Sequence, residues 1–236
     1  MSGWAKKRFW KETTVAAVEG GFGVFLDGRA VKTPAKAALV VPTEAMAQAM
    51  VAEWDAQDGE IDPNTMPVTR SANAAIDKVA IQHAEVADML AEYGGSDLLC
   101  YRATSPEELI ARQAKAWDPL LDWAAEIFGA RLKPVAGVMF EAQDPAALAA
   151  LSQQVHRFDN FELAAFHDLV GISGSLIIGF AATRDLQEIE ALWKLSRIDE
   201  IWQEEQWGRD EDAALEAEKK FQAFENAYRF FKLSNS

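Results

Sequence analysis

Cysteine is almost missing from this chain. Cys100 is the single copy among 236 residues, so no internal disulfide can form and no paired-cysteine zinc site is available. Histidine is nearly as scarce. His83, His156 and His167 are its three copies, and no two lie three or four residues apart, the spacing that sets two ligands on one helix face. Apolar runs are short: Leu176 to Ala182 is the longest, interrupted by Gly179, against the ~20 residues that a membrane-spanning helix requires. Positive charge is in deficit, with 23 Lys and Arg against 37 Asp and Glu and a net charge of −14. Such a surface repels phosphate backbones and anionic lipid headgroups, which argues against nucleic-acid partners and membrane attachment. The opening Met1-Ser2-Gly3-Trp4-Ala5-Lys6-Lys7 has no apolar stretch behind its positive charges and does not read as a secretory leader. The expectation is a protein of the bacterial cytoplasm, or the mature form of an imported one.

Motifs for chemistry are missing as well. Gly20-Gly21-Phe22-Gly23 leads into a strand-like run and lacks both the third glycine and the Lys-Ser/Thr of phosphate loops. Gly171-Ile172-Ser173-Gly174-Ser175 carries Ser where a nucleophile elbow needs its last Gly, and reads as a turn between packed helices. His167 stands beside Asp168, but neighbours on a helix point about a quarter-turn apart, so the pair is expected to make a poor base and orienter. No catalytic, cofactor-binding or metal-ligating residue is assigned. Two alternatives stay open: an enzyme site built from scattered residues, which requires a deep pocket with a strongly shifted titratable group, and a small-ligand or regulatory binding module.

What the chain does have is apolar mass, at half of its residues, and eight tryptophans, enough for a core. The first forty residues read as short strands: Phe9 to Val18, Gly23 to Leu26, Ala30 to Thr33 and Leu39 to Val41, with Asp27-Gly28 as a hairpin signal. After Pro42 the periodicity becomes helical. Thr43 caps a helix from Ala45 to Gln57 that puts Met46, Met50 and Trp54 on one side. Further helices are predicted over Met66 to Val79, Ala84 to Tyr93, Ala146 to Arg157, Phe161 to Val170 and Ala213 to Phe231. Ser105-Pro106-Glu107-Glu108 reads as a helix start, with Ser105 as cap, for a helix reaching Phe128 and Gly129. Leu186 to Trp207 reads as one long amphipathic helix. The fold class is therefore α+β, a small β-rich domain over residues 1–60 followed by a mostly helical one over 61–236.

Most polar clusters have a structural explanation. Glu53 and Asp55 flank the core-facing Trp54 as helix-surface or capping groups, Asp97 and Arg102 are expected to pair across the Leu98-Leu99 turn, and Asp118-Pro119 reads as a helix start or kink. The acids near the end are different. Glu204-Glu205 and Asp210-Glu211-Asp212 bracket Trp207-Gly208, the composition of an aromatic interface anchor with a charged rim. The competing reading has Trp207 closing a helix end against the core. Glu204, Glu205, Trp207, Asp210 and Glu211 are the candidate partner-binding residues.

Six clusters occur together and in order: Arg8-Phe9-Trp10-Lys11, Leu26-Asp27-Gly28-Arg29, Glu53-Trp54-Asp55-Ala56-Gln57 with Met66-Pro67-Val68-Thr69-Arg70, Ser96-Asp97-Leu98-Leu99-Cys100-Tyr101-Arg102, Trp117-Asp118-Pro119-Leu120-Leu121, and Glu205-Gln206-Trp207-Gly208. In this arrangement, over roughly residues 8 to 215, the chain resembles the family of assembly chaperones for the alpha subunit of F-type ATP synthase, found in mitochondria and related bacteria. The resemblance implies a small β-rich domain before a larger helical one, no enzymatic activity, no cofactor and no small-molecule substrate. It implies an ATP-independent role, holding the unassembled alpha subunit until the beta subunit displaces it, in a bacterial cytoplasm or a mitochondrial matrix. It also implies a functional acid just past the Trp-Gly pair, which Glu211 matches best, with Asp210 and Asp212 beside it.

Overall fold

The computed structural model describes residues 7–236; the opening segment that argues against a secretory leader lies, but for Lys7, outside them. The chain forms two compact units. One takes the chain up to His83 together with Asp159–Ala165 and Arg229–Ser236; the other takes Ala84–Phe158 and Phe166–Tyr228.

In the first unit, β1 (Thr13–Val18) and β2 (Gly21–Leu26) pair antiparallel from Thr13↔Leu26 to Val18↔Gly21. β3 (Arg29–Ala30) returns on β2 through Asp27-Gly28, both with positive φ of 47° and 75°, the two-residue turn that matches strand twist and favours this dipeptide. β4 (Val40–Val41) also pairs with β2. Four strands appear where four were expected, but the first starts at Thr13 rather than Phe9. The cause is Asp27: its carboxylate accepts the Lys11 and Glu12 N–H groups at 3.0 and 2.9 Å, removing them from any ladder. Those bonds also hold its pKa below the usual carboxylate range.

α1 (Glu44–Asp55) is capped by Thr43, whose Oγ1 accepts the Met46 N–H at 3.1 Å. Met46, Met50 and Trp54 are buried as their spacing requires, and Trp10 packs edge-on against Trp54 with centroids 5.2 Å apart. α2 (Pro67–Ala74) has no cap of its own. Glu53 supplies it from α1, accepting the Val68 and Thr69 N–H groups at 2.6 and 2.8 Å and the Thr69 hydroxyl at 2.7 Å. Burial raises the Glu53 pKa against the pull of those bonds. The helix then continues through one wide turn, Ala75–Val79. The later segments complete this unit: Asn160 Nδ2 donates to the Ala75 carbonyl, the Thr43 hydroxyl to the Leu233 carbonyl, and the Phe161 and Phe230 rings lie 6.5 Å apart.

The second unit starts within α3 (His83–Ala91) and carries a two-stranded parallel pairing of β5 (Tyr101–Arg102) with β6 (Val135–Ala136) on either side of α4 (Glu107–Phe128). α5 (Pro145–Val155), α6 (Asn160–Ser173), α7 (Leu176–Thr183), α8 (Ile189–Ser196), α9 (Ile198–Trp207) and α10 (Glu211–Ser234) follow. α7 is the centre: every residue from Leu176 to Ala182 is buried, and the rings of Phe128, Phe158 and Phe166 lie within 4.8–6.2 Å of Phe180. Gly179, which breaks the apolar run in sequence, is where α6 and α7 touch. A Cβ there would come within 2.7 Å of the Val170 side chain, a clash that only glycine avoids.

Four expectations are corrected. Asp97 does not pair with Arg102. It is fully buried and accepts the Leu99 N–H at 3.0 Å, the Ser175 hydroxyl at 2.7 Å and the Ile177 N–H at 3.1 Å, tying the chain before Cys100 to the start of α7. Arg102 turns to Asp118 at 2.8 Å and lies over the Trp117 ring. Asp118-Pro119 therefore sits inside α4 and starts no helix, and Pro106, not Ser105, occupies the cap position of α4. A proline there has no side-chain acceptor to offer. The stretch from Leu186 to Trp207 is two helices, because the Ser196 hydroxyl takes the Trp193 carbonyl and Trp117 Nε1 takes the Leu195 carbonyl. Arg197 leaves helical geometry between them, at ψ 22°.

Two outcomes follow. Burial pushes the Asp97 carboxyl up to about 6 from 3.8. Its favourable contribution is full below the unfolded value and lost as pH rises through the folded one, about 3 kcal/mol over that window. In urea unfolding, wild type should lose this increment between pH 4 and pH 7 relative to Asp97→Asn, which itself costs about 1–3 kcal/mol at pH 7 through the facing N–H of Ile177. Parallel pH profiles for the two proteins would remove Asp97 from this role. Cys100 is buried, its thiol pushed up to about 12, so a thiol reagent at neutral pH should modify it only as fast as the protein unfolds.

Candidate functional site

The acids of α9 face two ways. Glu205 accepts both forks of the Arg112 guanidinium, at 2.6 and 2.8 Å, from α4, and the pairing holds its pKa below the ordinary carboxylate range. Arg112 also lies over the Trp202 ring, 5.9 Å from its centroid. Asp199 accepts Gln113 Nε2 at 2.6 Å, and Glu204 sits 3.6 Å from Arg197. These groups fasten α9 to α4 and to Arg197, the residue that precedes it. The acidic stripe that the sequence presents is thus partly spent inside the fold.

The end of α9 is another matter. Trp207, its last residue, is 80% exposed, which excludes the reading in which it closes the helix against the core. Gly208, at φ 92°, turns the chain toward α10. Asp210 caps that helix by accepting the Asp212 and Ala213 N–H groups at 2.9 and 3.0 Å. Glu211 and Asp212 occupy the first turn, exposed, where the partial positive charge of the helix N-terminus favours them. The structure therefore gathers Trp207, Asp210, Glu211 and Asp212 at one open corner, with Glu204 and Glu205 one turn back on α9. Beneath it a cavity of about 410 Å³ lies between α8, α9 and α10, floored by Trp193 and Phe221 and edged by Arg197, Arg209, Glu204 and Glu218.

A second exposed apolar feature went unnoticed in the sequence. Val138, Met139 and Phe140 follow β6 in a loop and are 90%, 77% and 68% exposed. The loop is clamped at its base, where the Gln143 side chain accepts from the Lys133 N–H at 2.7 Å and donates to the Lys133 carbonyl at 2.9 Å, while the Gly137 N–H donates to the Arg102 carbonyl. Three neighbouring apolar side chains carry no local signal in the sequence that marks them as a projecting tip. Contiguous exposed apolar groups of this kind mark contact surfaces.

Other candidate chemistry is elsewhere. His167 and Asp168 do hydrogen-bond, at 2.9 Å, contrary to the expectation from helix geometry, because the carboxylate swings across to Nδ1. The bond raises the His167 pKa, and both side chains are about half exposed on the surface of α6. Among the described residues, no three His, Cys, Asp or Glu side chains converge to hold a metal ion, and no helix is long and apolar enough to cross a membrane.

The profile of the family described as ATP12 chaperone protein matches residues 7–125. Among solved structures, Atp12 from Paracoccus denitrificans superposes with a TM-score of 0.94 at 48% identity, covering 97% of this chain and 98% of that one. A mutant of that protein with aspartate changed to lysine superposes at 0.95 with the same identity and coverage. A protein from Agrobacterium tumefaciens gives 0.91 at 42% identity, over 96% of this chain and 85% of the other. Protein atp12 of Schizosaccharomyces pombe, a mitochondrial protein, is 25% identical over 219 residues, 88% of this chain and 75% of its own length. With the profile spanning half the chain and the solved structures nearly all of it, the chain belongs to the ATP12 chaperone family, a family of assembly factors and not of enzymes.

Proposed function

We propose that the chain binds the unassembled alpha subunit of F-type ATP synthase and shields its apolar assembly face until the beta subunit displaces it. Family membership supports the client. The observation that carries the surface is the exposed Trp207 ring set among Asp210, Glu211 and Asp212. A subunit awaiting its neighbour has a large apolar interface that self-associates when bare. A chaperone without a nucleotide cycle must cover that face with moderate affinity, so that the correct partner wins by mass action. An aromatic anchor supplies contact area, and a rim of carboxylates supplies orientation and rate toward a cationic margin.

In this reading Trp207 is the anchor and Glu211 the leading rim charge, since it forms no ion pair among the described residues. Asp210 contributes less directly because its carboxylate is committed to capping α10. Glu204 and Glu205 act through Arg197 and Arg112, as groups that hold α9 in place. The Val138–Phe140 tip offers a second apolar contact. The compartment is the bacterial cytoplasm or the mitochondrial matrix, in keeping with relatives of both kinds.

Trp207→Ala should leave the thermal midpoint within about 1–2 °C of wild type, as an exposed position does, and weaken capture of purified alpha subunit by about 30-fold or more, the scale of a hot-spot anchor. Full capture by this variant would move the interface elsewhere. Glu211→Lys should stay folded, at a cost of about 0.3–1 kcal/mol at the α10 N-terminus, while losing both affinity and the salt dependence of binding. Replacing Val138, Met139 and Phe140 together by serine should leave the unfolding curve unchanged and reduce suppression of alpha-subunit aggregation in light scattering; an unaltered trace would rule the loop out.

A further inference from the structure

The first unit holds a feature of opposite sign to the acidic corner. Arg29, on β3, and Lys32 and Lys36, in the turn that follows, are exposed cations at the mouth of a cavity of about 300 Å³. No carboxylate lines that cavity, and none of the three cations forms an ion pair among the described residues. Of the acids nearby, Asp27 feels the charge of Arg29, while Asp77 accepts the Ala35 N–H and Glu53 caps α2. In a chain with a net charge of −14, three cations around one opening, offset only at Arg29, are a local reversal of the overall field.

The interior is apolar, walled by Leu26, Leu39, Trp54 and Ile61, with the Phe9 ring, 60% exposed, at the entrance. Thr69 and Asn73 supply the polar part of the lining. The space suits one large side chain and its adjoining peptide groups, at the small end of ligand pockets.

We propose that this cavity is a second binding site, one that takes an extended protein segment carrying a large apolar residue flanked by acidic ones. The apolar side chain enters between Leu39 and Ile61, and the flanking carboxylates meet Arg29, Lys32 and Lys36. A simple aromatic carboxylate fills the apolar space but brings one negative charge to three cations, whereas a peptide with an acid on each side of its apolar residue brings two, which makes a peptide the occupant. The site is selective in the reverse sense to the Trp207 corner. It stands whether or not the alpha subunit is the protein that carries the segment.

Calorimetric titration of the full chain with acetyl-Glu-Phe-Glu-amide, acetyl-Lys-Phe-Lys-amide and phenylacetate tests the assignment. The acidic peptide should bind at least tenfold more tightly than either other probe, and shift the Asn73 side-chain amide resonances. The double variant Lys32→Ser, Lys36→Ser changes two exposed side chains and should keep the wild-type thermal midpoint while losing tenfold in affinity for the acidic peptide. Phe9→Ser, at the entrance, should weaken both peptides together. Equal binding of the two peptides, phenylacetate binding as tight as the acidic peptide, or undiminished binding by the lysine double variant would each overturn the proposal. These readouts use no alpha subunit, so a failure here leaves the chaperone reading intact, and a failure of Trp207→Ala leaves this site intact.

Discussion

The second unit is organised around a carboxylate that never meets water. Asp97 gathers two backbone N–H groups and a hydroxyl from segments nearly eighty residues apart in sequence, and the helix it anchors, α7, is buried along its whole apolar length. A helix of that kind has no solvent-facing side on which its first N–H groups could be hydrated. They must be satisfied by protein, and an aspartate held in a tight turn does so while the Ser175 hydroxyl takes the Ile178 N–H. The phenylalanine cluster on Phe180 then packs against an element whose position is already set. Arg102, freed from Asp97, locks β5 onto α4 through Asp118 and the Trp117 face, and Trp117 in turn reaches the break between α8 and α9.

That chain of fixed elements explains how a ring can be held out in solvent at Trp207. An exposed tryptophan is only useful for recognition if the backbone beneath it is pre-organised, since ordering it on contact would consume the gain. The bidentate Arg112 pair and the Gln113 contact pin α9 from α4, and Asp210 starts α10 at a defined point. The charges nearest Trp207 therefore divide between those that hold α9 and α10 in place and those that form no ion pair among the described residues.

Much of this was legible in the residues. Asp27-Gly28 specified its hairpin, Thr43 its cap, the Met46–Met50–Trp54 spacing its buried face, and Gly129 the end of a long helix, because each is a local rule with a local cause. What could not be read was any feature decided by a distant group. Glu53 read as a surface or a capping acid, and only the arrival of α2 decides that it caps, and which helix. Asp97 looked like the partner of its nearest cation, when burial against Ser175 outweighed a pairing that Asp118 could satisfy at the surface. The split at Arg197 depended on Trp117, eighty positions earlier. At the candidate site, Trp207 was singled out by its acidic neighbours and its exposure agrees with that choice, whereas nothing local in Val138, Met139 and Phe140 tells an exposed tip from a core segment, since only the fold decides where they lie.

The first unit also has a history in time. Its sheet and first two helices come from residues before Ala75, yet the Leu233 carbonyl that receives the Thr43 hydroxyl lies 190 positions further on, in the same helix as the Phe230 ring that stands beside Phe161. A nascent chain on the ribosome cannot finish this unit until α10 has been made and has cleared the exit tunnel. During that interval the apolar groups awaiting those residues are themselves uncovered, so a member of a chaperone family meets in its own folding the hazard of premature association.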